Sequence, residues 1–240
     1  MAKGKKKIRL DKIISKCTDL TRSEATRALK AGYVRVNDKP EKSGKISVDP
    51  VDDEILFDGE KLIYREQVYL MLNKPQGYVC AAKDERLKTV LELLPPALAS
   101  REPFSCGRLD ADTTGLVLLT DDGAWGHSIT SPKKLCVKTY LVGSNSELGE
   151  KEMKSLEEGV YLDGDEKITA PAKIAKLDEK TYRLQITEGR YHQVKRMFAA
   201  VGSKVINLHR EQIGDLALDT GLAEGDWREL SEDEVKLFGK

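Results

Sequence analysis

The chain reads as an α+β protein of two domains, a small N-terminal unit followed by a larger one built on a mixed sheet. Three observations predict this. Its 240 residues leave room for two cores. The first sixty residues hold two short helical patterns and then short alternating strands. Beyond them, strand patterns neither alternate regularly with helices nor segregate from them, which points to α+β.

In order along the chain, Ile8, Leu10, Ile13 and Ile14 follow helical spacing. Thr21-Arg22-Ser23-Glu24 fits a capping box, and the helix it starts runs to about Ala31 with Gly32 as the C′ residue. Tyr33-Val34-Arg35-Val36 alternates as a strand and turns at Asn37-Asp38. Val51 to Phe57 reads as a further strand ending in a hairpin turn at Asp58-Gly59. A boundary falls near Arg65-Glu66-Gln67. The expected organisation is a basic tail over 1–7, one domain over 8–67 and another over 68–240.

In the second domain Val68 to Leu72 is a buried strand closed by Asn73-Lys74-Pro75-Gln76-Gly77. Thr89 to Leu94 looks helical and ends at Pro95-Pro96. Strands are expected at Leu116 to Thr120, Thr139 to Val142 and Thr181 to Thr187. Amphipathic helices are expected at Glu147 to Glu158 and Tyr191 to Val201.

Composition narrows the function. No apolar run approaches ~18 residues, and the lysine-rich start lacks the apolar stretch of a signal peptide. Cys17, Cys80, Cys106 and Cys136 are widely spaced with no Cys-x-x-Cys, which suits reduced thiols in the cytoplasm better than disulfides or zinc. Net charge is zero, yet residues 1–45 carry +9, residues 183–210 carry +5 and residues 211–240 carry −6. Two separated basic segments suit a polyanion touched at two places.

The stretch Gly107-Arg108-Leu109-Asp110-Ala111-Asp112-Thr113-Thr114-Gly115-Leu116 holds the candidate reactive group. It sets Asp110 in a Gly-punctuated turn ahead of an apolar strand, with Arg108 two residues before it. The Asp-x-Asp-x-Thr-Gly spacing mimics the opening of a calcium loop. That reading is discounted, because Pro103 and Gly107 argue against the helix such a loop requires, and no metal is expected. Asp112, Thr113 and Thr114 read as residues that shape the turn.

Four separated motifs together resemble the RNA pseudouridine synthases. They are Asn73-Lys74-Pro75-Gln76-Gly77, Gly107-Arg108-Leu109-Asp110 with Thr114-Gly115-Leu116, Lys138-Thr139-Tyr140, and Glu188-Gly189-Arg190-Tyr191-His192-Gln193-Val194-Lys195-Arg196-Met197. The match spans nearly the whole chain. Asp112-Thr113-Thr114, Thr120-Asp121-Asp122-Gly123 and Tyr191-His192-Gln193-Val194-Lys195 are most similar to the RsuA branch, which modifies 16S ribosomal RNA. Residues 8–67 resemble the S4 RNA-binding domain, with Lys12, Lys16, Arg22, Arg27 and Lys30 punctuating its helices.

The resemblance implies a small S4-like (αL-motif) domain and a catalytic domain on a mixed, mainly antiparallel sheet. It implies Asp110 as the catalytic carboxylate, Lys195 as its cationic partner and Tyr140 as the ring that stacks on the target base. Arg108, Arg190, His192, Arg196, Arg22, Arg27, Lys30 and Lys74 are the expected RNA contacts, and Arg210 joins them as a phosphate contact. The reaction implied is isomerisation of one uridine to pseudouridine, with no redox change and so no cofactor. The expected partner is 16S rRNA, in a partly assembled small subunit, bound by a cytoplasmic monomer away from any membrane. Alternatives are a 23S rRNA enzyme of the same branch, or a non-catalytic ribosome-assembly factor. The residues alone leave open whether Asp110 attacks C1′ or takes a proton from C2′.

Overall fold

The computed structural model describes residues 7–239, so the expected basic tail lies outside the described residues apart from Lys7. The chain divides into two compact units. The first holds the described residues up to Gln67 together with Leu94–Pro103, and the second holds Val68–Leu93 and Phe104 onward.

In the first unit, β1 (Ile8–Arg9) leads into α1 (Leu10–Cys17) and α2 (Arg22–Ala31). The Thr21–Glu24 capping box forms, and Gly32 ends α2 at φ 89°. There follow β2 (Val34–Val36), β3 (Lys39–Pro40), β4 (Ser47–Val48), β5 (Ile55–Phe57) and β6 (Glu60–Lys61). Asn37 and Asp38 both take positive φ, and the right-handed twist of β2 and β3 selects such a turn. The strand expected from Val51 begins only at Ile55, because Asp49 to Asp53 form a turn in which the Asp49 side chain accepts from the Val51 and Asp52 N–H groups. Leu10, Ile13, Ile14, Ala25, Leu29, Val34, Val48 and Ile55 make one buried core.

The helical segment expected at Thr89 to Leu94 is a short 3-10 turn that ends before Pro95-Pro96, and the same prolines open the next helix. That turn spans Val90–Leu93, and α3 (Pro96–Ala99) has proline in its first turn, where no N–H is needed. Arg101 donates to the Arg65 and Glu66 carbonyls at 2.9 Å each, tying this excursion to the first unit.

The second unit contains β7 (Tyr69–Lys74), β8 (Tyr78–Val79), β9 (Lys88–Thr89), β10 (Phe104–Ser105), β11 (Thr114–Thr120), α4 (Gly123–Thr130) and β12 (Lys138–Ser144). It continues with α5 (Glu150–Glu158), β13 (Lys173–Lys176), β14 (Thr181–Ile186), α6 (Gln193–Ala200), β15 (Val205–Ile213), β16 (Leu216–Ala217), β17 (Trp227–Glu229) and α7 (Glu232–Lys236). Among the described residues its main sheet has nine strands in the order β13-β14-β12-β15-β11-β7-β17, with β10 beside β11 and β16 beside β15. Only β11–β15 is parallel, so the sheet is mixed and mainly antiparallel, as expected. Met71, Leu116, Leu118, Trp125, Ile129 and Ile213 belong to the core on one side of it. No helix of the described residues is long and apolar enough to cross a membrane.

Gly115 makes the central crossing possible. It has φ 101°, and a Cβ there would stand 2.4 Å from the Arg210 carbonyl oxygen on the paired strand. Backbone cannot yield as a flexible side chain would. Gly115→Ala is therefore expected to destabilise the protein by at least about 2–4 kcal/mol, read as a lowered denaturant midpoint.

At the C-terminal end Arg228 forks onto Glu234 at 2.7 and 2.8 Å and also bonds Asp219 at 2.8 Å. The Arg228 hydrogen bonds, opposed by burial, pull the Glu234 carboxyl down to about 2. A depressed folded-state pKa contributes stability above the unfolded value near 4.5, and that stability is lost as pH falls through about 2. Glu234→Gln should cost about 1–2 kcal/mol at neutral pH after allowance for solvent screening, with the gap closing below pH 4 in urea titrations.

Candidate active site

The turn carrying Asp110 lies between β10 and β11 and is held from beneath. Thr113 N–H bonds the Asp110 carbonyl at 3.1 Å, and Gly77 N–H bonds the Ala111 carbonyl at 2.7 Å. The Lys74 ammonium donates to the carbonyls of Thr113 at 2.7 Å, Pro75 at 3.0 Å and Ala111 at 3.5 Å. Leu109 N–H points at the Cys80 sulfur, 3.4 Å away. The Asn-Lys-Pro-Gln-Gly motif thus acts as a bracket for the aspartate turn.

This corrects one expectation. Lys74 has no exposed surface, so it cannot be an RNA contact. Burial pulls its pKa down, and its donors are directed at backbone carbonyls, the partners that make burying an ammonium tolerable.

The segment before α6 supplies the facing groups. His192 takes left-handed φ 49° at the helix N-cap, which brings Nε2 to 3.4 Å from Asp110 Oδ1. The exposed Tyr191 ring stacks on its imidazole with centroids 3.8 Å apart. One turn into α6, Lys195 Nζ reaches Asp110 Oδ2 at 2.9 Å and Asp112 Oδ1 at 2.5 Å. Burial lowers the Lys195 pKa, but its hydrogen bonds to Asp112 and Asp110 outweigh this and leave it raised. Asp112 is pushed up by burial and pulled down more strongly by Lys195, so it is held below the usual carboxylate range. The pairing of Asp110 with Lys195 across 85 positions is therefore present in the fold. Asp112, expected only to form the turn, shares the same cation.

These groups open onto a cavity of about 700 Å³. Tyr140 on β12 is 7% exposed and lines it, as do Arg108, Lys138, His192, Lys195 and Arg210. Arg108 is exposed and makes no hydrogen bond or ion pair among the described residues. The structure thus gathers Asp110, Tyr140, Lys195, Arg108 and His192 around one space.

Arg190 and Arg196 have a different setting from the one expected. Arg190 bonds Asp165 at 3.0 Å, Glu188 at 3.2 Å and the carbonyls of Lys167 and Ile168 at 2.7 and 2.6 Å. Arg196 bonds Asp165 at 2.7 Å. Their donors clamp the 163–168 segment to the start of α6. Arg210 is no surface phosphate contact either, being 2% exposed. In the first unit, Arg22 bonds the buried Asp11 at 2.9 Å and Arg27 lies 3.6 Å from Glu24. Lys30 is exposed and has no partner among the described residues.

An acid–cation pair beside a tyrosine, within a basic and partly closed cavity, suits chemistry on a base lifted out of an RNA strand. A family model described as RNA pseudouridylate synthase matches residues 68–200, and the chain belongs to that family. Among curated relatives it is 48% identical to the ribosomal small subunit pseudouridine synthase A of Haemophilus influenzae, over 97% of this chain and all of that protein. The same-named protein of Pasteurella multocida is 49% identical over the same shares. A solved structure described as a pseudouridylate synthase aligns at TM-score 0.70 with 47% identity, covering 96% of this chain and 99% of that one.

Proposed function

We propose that the protein converts one uridine of small-subunit (16S) ribosomal RNA to pseudouridine. The observation that carries the reading is the Asp110–Lys195 contact at 2.9 Å beside Tyr140 in a single cavity. Near-full-length similarity to enzymes named for the small subunit supports the choice of RNA. The proposed setting is the cytoplasm, on a partly assembled subunit, with the protein acting as a monomer.

In this reading the target uridine leaves the stack, which costs on the order of a few kcal/mol. Arg108, exposed at the cavity lip, contacts the RNA backbone. Tyr140 stacks on the uracil. Asp110, paired with Lys195, acts at the sugar, by attack on C1′ or by removal of the C2′ proton. The N1–C1′ bond breaks, the ring turns, and C5 bonds to C1′. C5 then loses its proton and N1 gains one, so the product is an isomer of the substrate. The cavity walls limit water, which would otherwise hydrolyse the opened sugar.

The first unit is proposed as an S4-like RNA-binding domain that supplies phosphate contacts through Arg22, Arg27 and Lys30. Arg27→Glu with Lys30→Glu should weaken RNA binding and flatten the plot of log affinity against log salt, by roughly one unit for each phosphate partner removed. An unchanged slope would remove these residues from the interface.

The deciding experiment maps pseudouridine in both large ribosomal RNAs from cells lacking the protein. A site missing from 16S rRNA and restored by the purified protein is the expected result. A site missing only from 23S rRNA would overturn the choice of RNA.

A further inference from the structure

Arg210 is a buried cation without an anion. It projects from β15 in register with Tyr140 on one neighbouring strand and Gly115 on the other. Its Nε donates to the Leu116 carbonyl at 2.8 Å, while Nη2 is buried with no hydrogen-bond partner. No carboxylate forms an ion pair with it among the described residues. Elsewhere the half-buried arginines 190, 196 and 228 are all matched by carboxylates.

Lys138 lines the same cavity, is half-buried and has no hydrogen bond or ion pair among the described residues. Burial lowers its pKa and Arg210 lowers it further, against the opposing Cys136 thiol. The cavity lining therefore holds Asp110 paired with Lys195, and also two cations, Arg210 and Lys138, with no carboxylate partner among the described residues. An uncompensated buried charge is costly to keep. A group that becomes anionic only during the reaction would account for it.

We propose that Arg210, with Lys138 beside it, stabilises the negative charge on uracil as the N1–C1′ bond breaks. This rests on the pseudouridine synthase reading above. When that bond breaks, its electron pair goes to the ring, so uracil leaves as an anion with charge spread over N1, O2 and O4. C1′ meanwhile bonds to the Asp110 carboxylate, or C2′ gives its proton to Asp110. Either course delivers the same anion beside the ring that stacks on it. The base is the most deeply inserted part of a flipped nucleotide, whereas its phosphate stays on the outside. A guanidinium 2% exposed and in register with Tyr140 therefore faces the base rather than the phosphate. Charge stabilisation of this kind acts in the transition state more than in the bound complex.

The test uses the full chain and a small-subunit RNA fragment carrying either uridine or 5-fluorouridine at the target. Fluorine makes the departing ring a weaker base, so its anion needs less help. Arg210→Met should slow single-turnover cleavage of uridine at least about 100-fold, with RNA Kd within about threefold of wild type. Arg210→Lys should retain part of the rate. The ratio of wild-type to Arg210→Met rates should shrink about tenfold or more with 5-fluorouridine. Weaker RNA binding with an unchanged rate at saturation would assign Arg210 to a phosphate and overturn the proposal. Equal ratios for the two substrates would mean a packing role and overturn it as well. If Arg210→Met does not fold, Lys138→Met at the partly exposed position decides, by showing or lacking the same substrate dependence. Wild-type protein that forms no pseudouridine in ribosomal RNA would instead refute the functional reading.

Discussion

Asp110→Asn is expected to abolish pseudouridine formation while RNA still binds. The substitution keeps the size of the side chain and its place in the turn, because that turn is fixed by backbone contacts. The Asp110 carbonyl accepts from Thr113 N–H, and Lys74 and Gly77 hold the Ala111 carbonyl. What disappears is the ionised oxygen that faces the sugar. An amide neither attacks C1′ usefully nor takes a proton from C2′. The rate should fall by at least about 10⁴-fold, the scale seen when a reacting group is removed from a unit of catalytic residues. RNA affinity should stay within a few-fold, since the RNA contacts proposed above are basic groups elsewhere. Single-turnover assays with mapped product, beside filter-binding titrations, check both halves. Activity near wild type would remove Asp110 from the chemistry.

Lys195→Met should be the next most damaging change. Lys195 Nζ lies 2.9 Å from Asp110 and 2.5 Å from Asp112, the cation joining two carboxylates. Without it, like charges face each other in a partly closed space, which favours protonation of one of them. The rate constant at saturating RNA should fall by about 10²- to 10³-fold. Lys195→Arg should restore a measurable share, because it returns the charge with altered reach. A purely structural ion pair would behave otherwise. Its removal would lower the melting temperature while leaving the rate per folded molecule unchanged.

Much of this site is legible in the chain, for physical reasons. Asp110, Tyr140 and Lys195 lie in short motifs bounded by glycine or close to it, and folding gathers those motifs around one cavity. The capping box at Thr21–Glu24 is a local signal and is readable locally. Other features depend on long-range packing. Lys74 reads as an RNA contact because lysine is usually exposed, and only the folded turn reveals three carbonyls around its ammonium. Arg190 and Arg196 read as RNA contacts because Asp165, which holds both, carries no motif of its own. Strand β15 gives no strand signal. Asn207, His209 and Arg210 interrupt its apolar pattern, because only part of this strand faces a core: Leu208 and Arg210 line the cavity, while Ile213 joins the core. The excursion of Leu94–Pro103 to the first unit likewise leaves no periodic trace.

The parallel pairing of β11 with β15 has a consequence during synthesis. Thr114 and Gly115 must wait for His209 and Arg210 before the centre of the sheet closes. Pairings so distant in sequence form late, after the loop entropy between them has been overcome. Asp110 and Lys195 sit just outside that crossing, 85 residues apart. A nascent chain still short of β15 therefore holds a carboxylate and an ammonium that have not met. A chain in which that sheet is incomplete is therefore expected to lack the assembled Asp110–Lys195 pair, and with it the capacity to break a glycosidic bond.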